Sequence, residues 1–166
     1  MHAPILWLPD WQPAWQATDP ADAWPGPAPD PQATPVLQHD WARPLRGDWL
    51  MQLEQAVLDA QAPVRLWAQG LGCQLVAAWA AHSRQTARVI DARLWAPLDV
   101  SQPALQARLP SWSPVVRQRL PFPSRVLASP DPAVCAVETA QAWATDWGAD
   151  WGGLLPLATA AHATTY

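Results

Sequence analysis

Four histidines, two cysteines, a few serines and fourteen acidic side chains are the groups in these 166 residues that could do chemistry. Histidine is the usual general base near neutral pH, and a serine or cysteine becomes a nucleophile only beside such a base or in a field that stabilises its anion. Cys73 and Cys135 share no close spacing, so neither a zinc knuckle nor a redox C-x-x-C pair is present, and each reads as a small buried apolar residue. His2 and His39 lack any partner pattern, and His82 falls at the end of a predicted helix, where the dipole favours a positive charge. The strongest chemical geometry lies in Val64 to Trp79, V-R-L-W-A-Q-G-L-G-C-Q-L-V-A-A-W, an apolar run that breaks at Gly70 and Gly72 and resumes with helical spacing. Val64, Leu66 and Trp67 suit a buried strand, while Leu71, Leu75, Val76 and Trp79 recur at three- and four-residue steps, as one helix face requires. A strand that turns sharply into a helix lifts a nucleophile above a sheet and aims the next backbone N–H at an oxyanion. Here the string is Ala68-Gln69-Gly70-Leu71-Gly72, with a glycine where the nucleophile would stand.

The block A-Q-G-L-G-C-Q-L-V-A-A-W-A-A-H resembles the A-H-S-L-G-C-x-x-V-A-x-W-A block of the small YdeN-like, retinoblastoma-binding-protein-like serine hydrolases. Further blocks follow in that family's order: Asp40-Trp41 with Pro44, Gly47-Asp48-Trp49, Leu94-Trp95-Ala96-Pro97, Leu120-Pro121-Phe122-Pro123-Ser124, Ala128-Ser129-Pro130-Asp131, and Cys135. The similarity runs from about Leu6 to His162. It implies a minimal α/β-hydrolase fold, a three-layer α/β/α sandwich around a mostly parallel sheet of five or six strands.

Position by position, the resemblance puts Gly70 in place of the nucleophilic serine, His162 at the base and Asp131 as candidate acid. Relatives carry D-D-P where this chain has Asp131-Pro132. The oxyanion donors would be the Leu71 backbone N–H and the loop after the first strand, where Asp10 replaces an expected glycine; a carboxylate there would repel an oxyanion. Removing a triad nucleophile costs on the order of a millionfold in turnover. The leading expectation is therefore a serine-hydrolase homologue that has lost hydrolysis and persists as a binding or regulatory protein. Two alternatives stand beside it. One is a weak esterase with another nucleophile, Cys73 or Ser129; the other is a ligand or carbohydrate platform built from the indoles of Trp11, Trp15 and Trp24. No cofactor or metal is expected. Restoring the serine by Gly70→Ser should leave the fold intact and give at most trace activity.

The positioning elements follow from the pattern. Pro4 to Leu8 reads as a first strand buried on both faces, 34–38 as a second, and residues 18–35 are a Pro-rich extended loop. Asp48 is the expected cap of a helix from Trp49 to about Ala60. After the elbow and its helix come a strand over 88–97, a short cap-like segment over 101–119, a strand over 125–129, a helix over 136–147 and a strand over 151–157. Strand, helix, strand in this order predicts right-handed crossovers and a parallel sheet. Relatives continue past the histidine with a terminal helix over one sheet face, and this chain stops four residues later. Apolar surface should thus lie exposed, or be covered by a protein partner or a second copy.

The length suits one domain over 1–166 with a sizeable core. A net charge of −4 and ten scattered arginines argue against nucleic acid. The absence of a long apolar run and of a basic, apolar leader points away from membranes and to the cytoplasm.

Overall fold

The computed structural model describes residues 2–16 and 28–156. His162 and Trp24 lie outside the described residues, as do 17–27 of the Pro-rich loop. Six strands form one sheet: β1 (Ile5–Leu8), β2 (Ala33–Pro35), β3 (Val64–Gln69), β4 (Val89–Trp95), β5 (Ser124–Ala128) and β6 (Asp150–Leu154). Their order is β2-β1-β3-β4-β5-β6 and every pairing is parallel. Among the described residues the helices are α1 (Arg46–Asp59), α2 (Leu71–His82), α3 (Pro103–Arg108) and α4 (Val137–Trp147). This is the α/β class expected, with the elbow on β3 in the interior of the sheet.

From β2 onward each connection advances the same way across the sheet, so right-handed crossovers place α1, α2 and α4 on one face. The strands show it by their alternation. In β3, Val64, Leu66 and Ala68 are buried while Arg65, Trp67 and Gln69 are only half-buried. The buried set joins Leu8, Leu94, Val126 and Ala128 and the inner stripes of the helices, such as Leu53, Val76, Trp79 and Trp143, in a single core. The opposite set, with Arg65, Trp67, Arg93, Trp95, Arg125 and Leu127, is half-buried or exposed. None of α1, α2 and α4 covers that face.

Local expectations shift in detail. Helix α1 begins at Arg46 rather than Trp49, and Asp48 sits in its first turn instead of capping it. The Arg46 N–H is met by the Ser111 hydroxyl at 3.0 Å, so a tertiary contact serves an end that would otherwise need a local cap. Ser111 belongs to the 101–119 segment, which holds α3 and a 3-10 turn at Pro110–Trp112. Trp112 packs edge-on against Trp49 with ring centres 5.5 Å apart and donates its indole N–H to the Pro44 carbonyl at 3.0 Å. Trp49 meets Trp41 in the same manner at 5.5 Å. Buried tryptophans thereby tie the segment to α1 and to the Asp40–Pro44 loop.

Candidate active site

The elbow forms as its glycines require. Gly70 leaves β3 at φ 58° and ψ −117°, a conformation that L side chains rarely adopt, and its N–H donates to the Trp95 carbonyl at 3.0 Å. Gly72 is needed for a different reason: a Cβ there would collide with the Leu8 carbonyl oxygen, so its absence lets the start of α2 approach β1 closely. Ala96, just past β4, is also at positive φ, 50°. Two residues on, the Leu98 N–H reaches the Gly70 carbonyl at 3.3 Å.

Asp10 comes to the same point from the end of β1. It is 5% exposed. Its Oδ1 accepts the Leu71 N–H at 2.7 Å and the Trp11 N–H at 2.9 Å. A Cβ added to Gly70 would fall inside the Asp10 carboxyl group. The carboxyl therefore fills the volume a nucleophilic side chain would take, and holds the backbone donor that would otherwise face an oxyanion. Burial pushes its pKa up to about 8, against the opposing pull of the two N–H bonds, so at neutral pH it is mostly protonated and uncharged.

Three expectations change in consequence. Asp10 is not a charge set beside an oxyanion site but a neutral plug within it. The Leu71 N–H is occupied rather than available. And Gly70→Ser cannot be accommodated without displacing Asp10, since the added side chain and the carboxyl claim the same space.

Of the remaining triad positions, His162 lies outside the described residues. Asp131 follows β5 at the edge of the sheet where Gly70 follows β3, but its carboxylate is turned into its own loop, where Oδ1 accepts the Ala133 N–H at 2.9 Å. No hydrogen bond joins it to Asp10, Gly70 or Leu71 among the described residues. Gly70, Leu71 and Asp10 are thus brought together.

The substitute nucleophiles fare poorly. Ser129 is buried and its hydroxyl accepts the Asp131 N–H at 3.1 Å. Cys73 is fully buried, with its thiol turned to the carbonyls of Trp95 at 3.3 Å and Ala68 at 3.6 Å. Burial pushes that thiol well above its ordinary value, and the charge that Asp10 acquires only in alkali adds to the effect; burial also pushes the Cys135 thiol up to about 12. Iodoacetamide is therefore expected to leave Cys73 unmodified in the folded protein and to alkylate it in denaturant. Peptide mass spectrometry reads this directly, and rapid native alkylation would restore Cys73 as a candidate nucleophile.

The aromatic platform also changes. Trp11 is 1% exposed, and the Arg108 guanidinium lies over its ring at 4.7 Å, so its faces are closed to a ligand. Trp15 is half-buried against the core. Among the described residues no group of three His, Cys, Asp or Glu side chains could hold a metal ion. No helix there is long and apolar enough to cross a membrane.

The plug itself escaped the sequence reading, although a signal existed. A glycine that vacates the nucleophile position and a carboxylate that replaces a glycine in the facing loop are complementary changes in volume.

Comparison with known proteins places the fold. The family model described as Serine hydrolase matches residues 9–164. No curated protein matches the chain significantly. Among solved structures, a YdeN-like hydrolase from Pectobacterium atrosepticum superposes with a TM-score of 0.66 at 15% identity, covering 90% of this chain and 76% of that one. The ydeN gene product from B. subtilis gives 0.64 at 14% identity, covering 93% and 86%. At such identities the likeness speaks for the fold alone.

Proposed function

The chain belongs to the serine hydrolase family, and from that premise we propose that it is a member closed to hydrolysis, retained as a binding or regulatory protein. The observation that carries this reading is the Asp10 carboxyl lodged where the nucleophile's side chain would be, on the Leu71 N–H that would face the oxyanion. Acyl transfer needs a nucleophile, a base and preorganised donors at the developing charge. Here the first is absent at Gly70 and the last is already engaged. A neutral buried acid is also a poor nucleophile, and its conversion to the anion is opposed by the same burial that fixes it. The buried positions of Cys73 and Ser129 weigh against the weak-esterase alternative. A cytoplasmic location belongs to the same proposal.

A fluorophosphonate probe and p-nitrophenyl acetate test it. The folded protein is expected to show no specific labelling and no turnover above that of its His162→Ala variant. Stoichiometric labelling, or ester hydrolysis abolished by His162→Ala, would mean that an active nucleophile exists and would overturn the proposal.

A further inference from the structure

The sheet face that α1, α2 and α4 leave uncovered carries a cavity of about 300 Å³, lined by Arg93, Trp95, Arg125 and Leu127. These four are two successive rungs of the β4–β5 pairing: Arg93 lies opposite Arg125, and Trp95 lies opposite Leu127. Directly opposed like charges destabilise a sheet unless something neutralises them. The ion pairs among the described residues are Arg65 with Asp91 and Arg117 with Asp146, so neither Arg93 nor Arg125 is matched there. Asp150 faces Arg125 from β6 but forms no ion pair with it. Among the described residues, two opposed guanidinium groups beside an apolar rung therefore stand without a carboxylate partner.

The side chains around it are also arranged to keep the cavity open. The Arg93 guanidinium stacks over the Trp67 ring at 4.8 Å, and Trp67 meets Trp95 edge-on at 5.5 Å. Stacking of this kind fixes a guanidinium plane while leaving its N–H edge free to donate. On the other side, a Cβ at Gly152 would lie 2.7 Å from Leu127 Cδ2 and 2.8 Å from Arg125 Nε, so the glycine gives both lining residues their room.

We propose that this cavity is a binding site for a small organic carboxylate with a flat apolar body, its anionic end on Arg93 and Arg125 and its rings on Trp95 and Leu127. Charge complementarity selects the anion. Adjacent same-face rungs are about 6.6 Å apart along a strand, close enough for the anionic end and the flat body of one small molecule to reach both. The site shares no residue with the Gly70 elbow and does not depend on whether that elbow is inactive.

Calorimetric titration of the full chain with 2-naphthoate, 2-naphthamide and inorganic phosphate tests the assignment. Saturable binding of 2-naphthoate is expected, at least about tenfold tighter than that of either comparison compound, as one charge-assisted contact and one apolar contact would each supply. Arg93→Gln and Arg125→Gln, both at exposed positions, should each weaken it by about tenfold while circular dichroism stays unchanged. Equal binding of the amide would reduce the cavity to an apolar patch, and equal binding of phosphate would make the aromatic rung irrelevant; either overturns the proposal. So would an absence of binding, or affinity unchanged in both variants.

Discussion

Asp10→Asn is expected to make the protein more stable than the wild type at pH 9, and about equally stable at pH 4. In the folded chain the Asp10 pKa is raised from 3.8 to about 8, chiefly by burial. Between those values the folded state holds a proton that the unfolded chain releases, so stability falls as pH rises through the window, and levels off above the folded value. The slope approaches about 1.4 kcal/mol per pH unit where the group is protonated in one state and ionised in the other. Asparagine is neutral at every pH and keeps an oxygen to accept the Leu71 and Trp11 N–H bonds. The quantity to follow is the difference in unfolding midpoint between variant and wild type from pH 4 to pH 9, because the other carboxylates titrate in both and cancel. One kcal/mol corresponds to about 2–4 °C in a chain of this size. The difference should therefore grow by at least about 5 °C across the window. A flat difference would mean that Asp10 is ionised and solvated in the folded protein, and the plug would not exist.

How far the sequence foretold this site depends on the kind of information each part needed. The elbow was legible because strand period, two glycines and helical period lie within sixteen contiguous residues, and local spacing is what such patterns encode. The parallel sheet followed from the alternation of strand and helix, since right-handed crossovers between neighbouring strands make them parallel. Three features were not legible. The start of α1 is held by Ser111, 65 residues away in the chain, and no local capping rule reports such a contact. Asp10 was singled out, but by its charge; its position inside the site depends on how closely β1 approaches α2, which Gly72 controls through a backbone contact. Burial then inverted the electrostatic inference by making the group neutral. The Arg93–Arg125 pair is a matter of register between β4 and β5, thirty-two residues apart, and period alone does not fix register.

Gly70→Ser is expected to unfold the protein or to cost well over 3 kcal/mol, and Asp10→Gly is expected to relieve much of that loss when the two are combined. The serine Cβ would fall within the Asp10 carboxyl, so one group must leave. Overpacking of a filled site costs about 1–3 kcal/mol, occasionally more. A non-glycine residue at left-handed φ adds about 1–2 kcal/mol. A displaced Asp10 also leaves the Leu71 and Trp11 N–H groups unpaired, at about 1–3 kcal/mol each if water does not reach them. With glycine at position 10 the collision disappears, while the cost at φ 58° and the orphaned donors remain. Denaturant unfolding of both single variants and the double closes the cycle, and the double should be more stable than Gly70→Ser alone, a coupling that independent sites would not show. If Gly70→Ser alone unfolds with the wild-type midpoint, the carboxyl does not occupy that volume. The double variant, with serine in place and the Leu71 N–H released, also separates loss of the nucleophile from wider decay. Its ester turnover is expected to stay well below about one per second, the low end for enzymes, because the base needs an orienting acid as well as a serine to act on and one oxygen of Asp131, the candidate acid, is already bonded to the Ala133 N–H. Faster turnover would show that only Gly70 and Asp10 stood between this scaffold and catalysis.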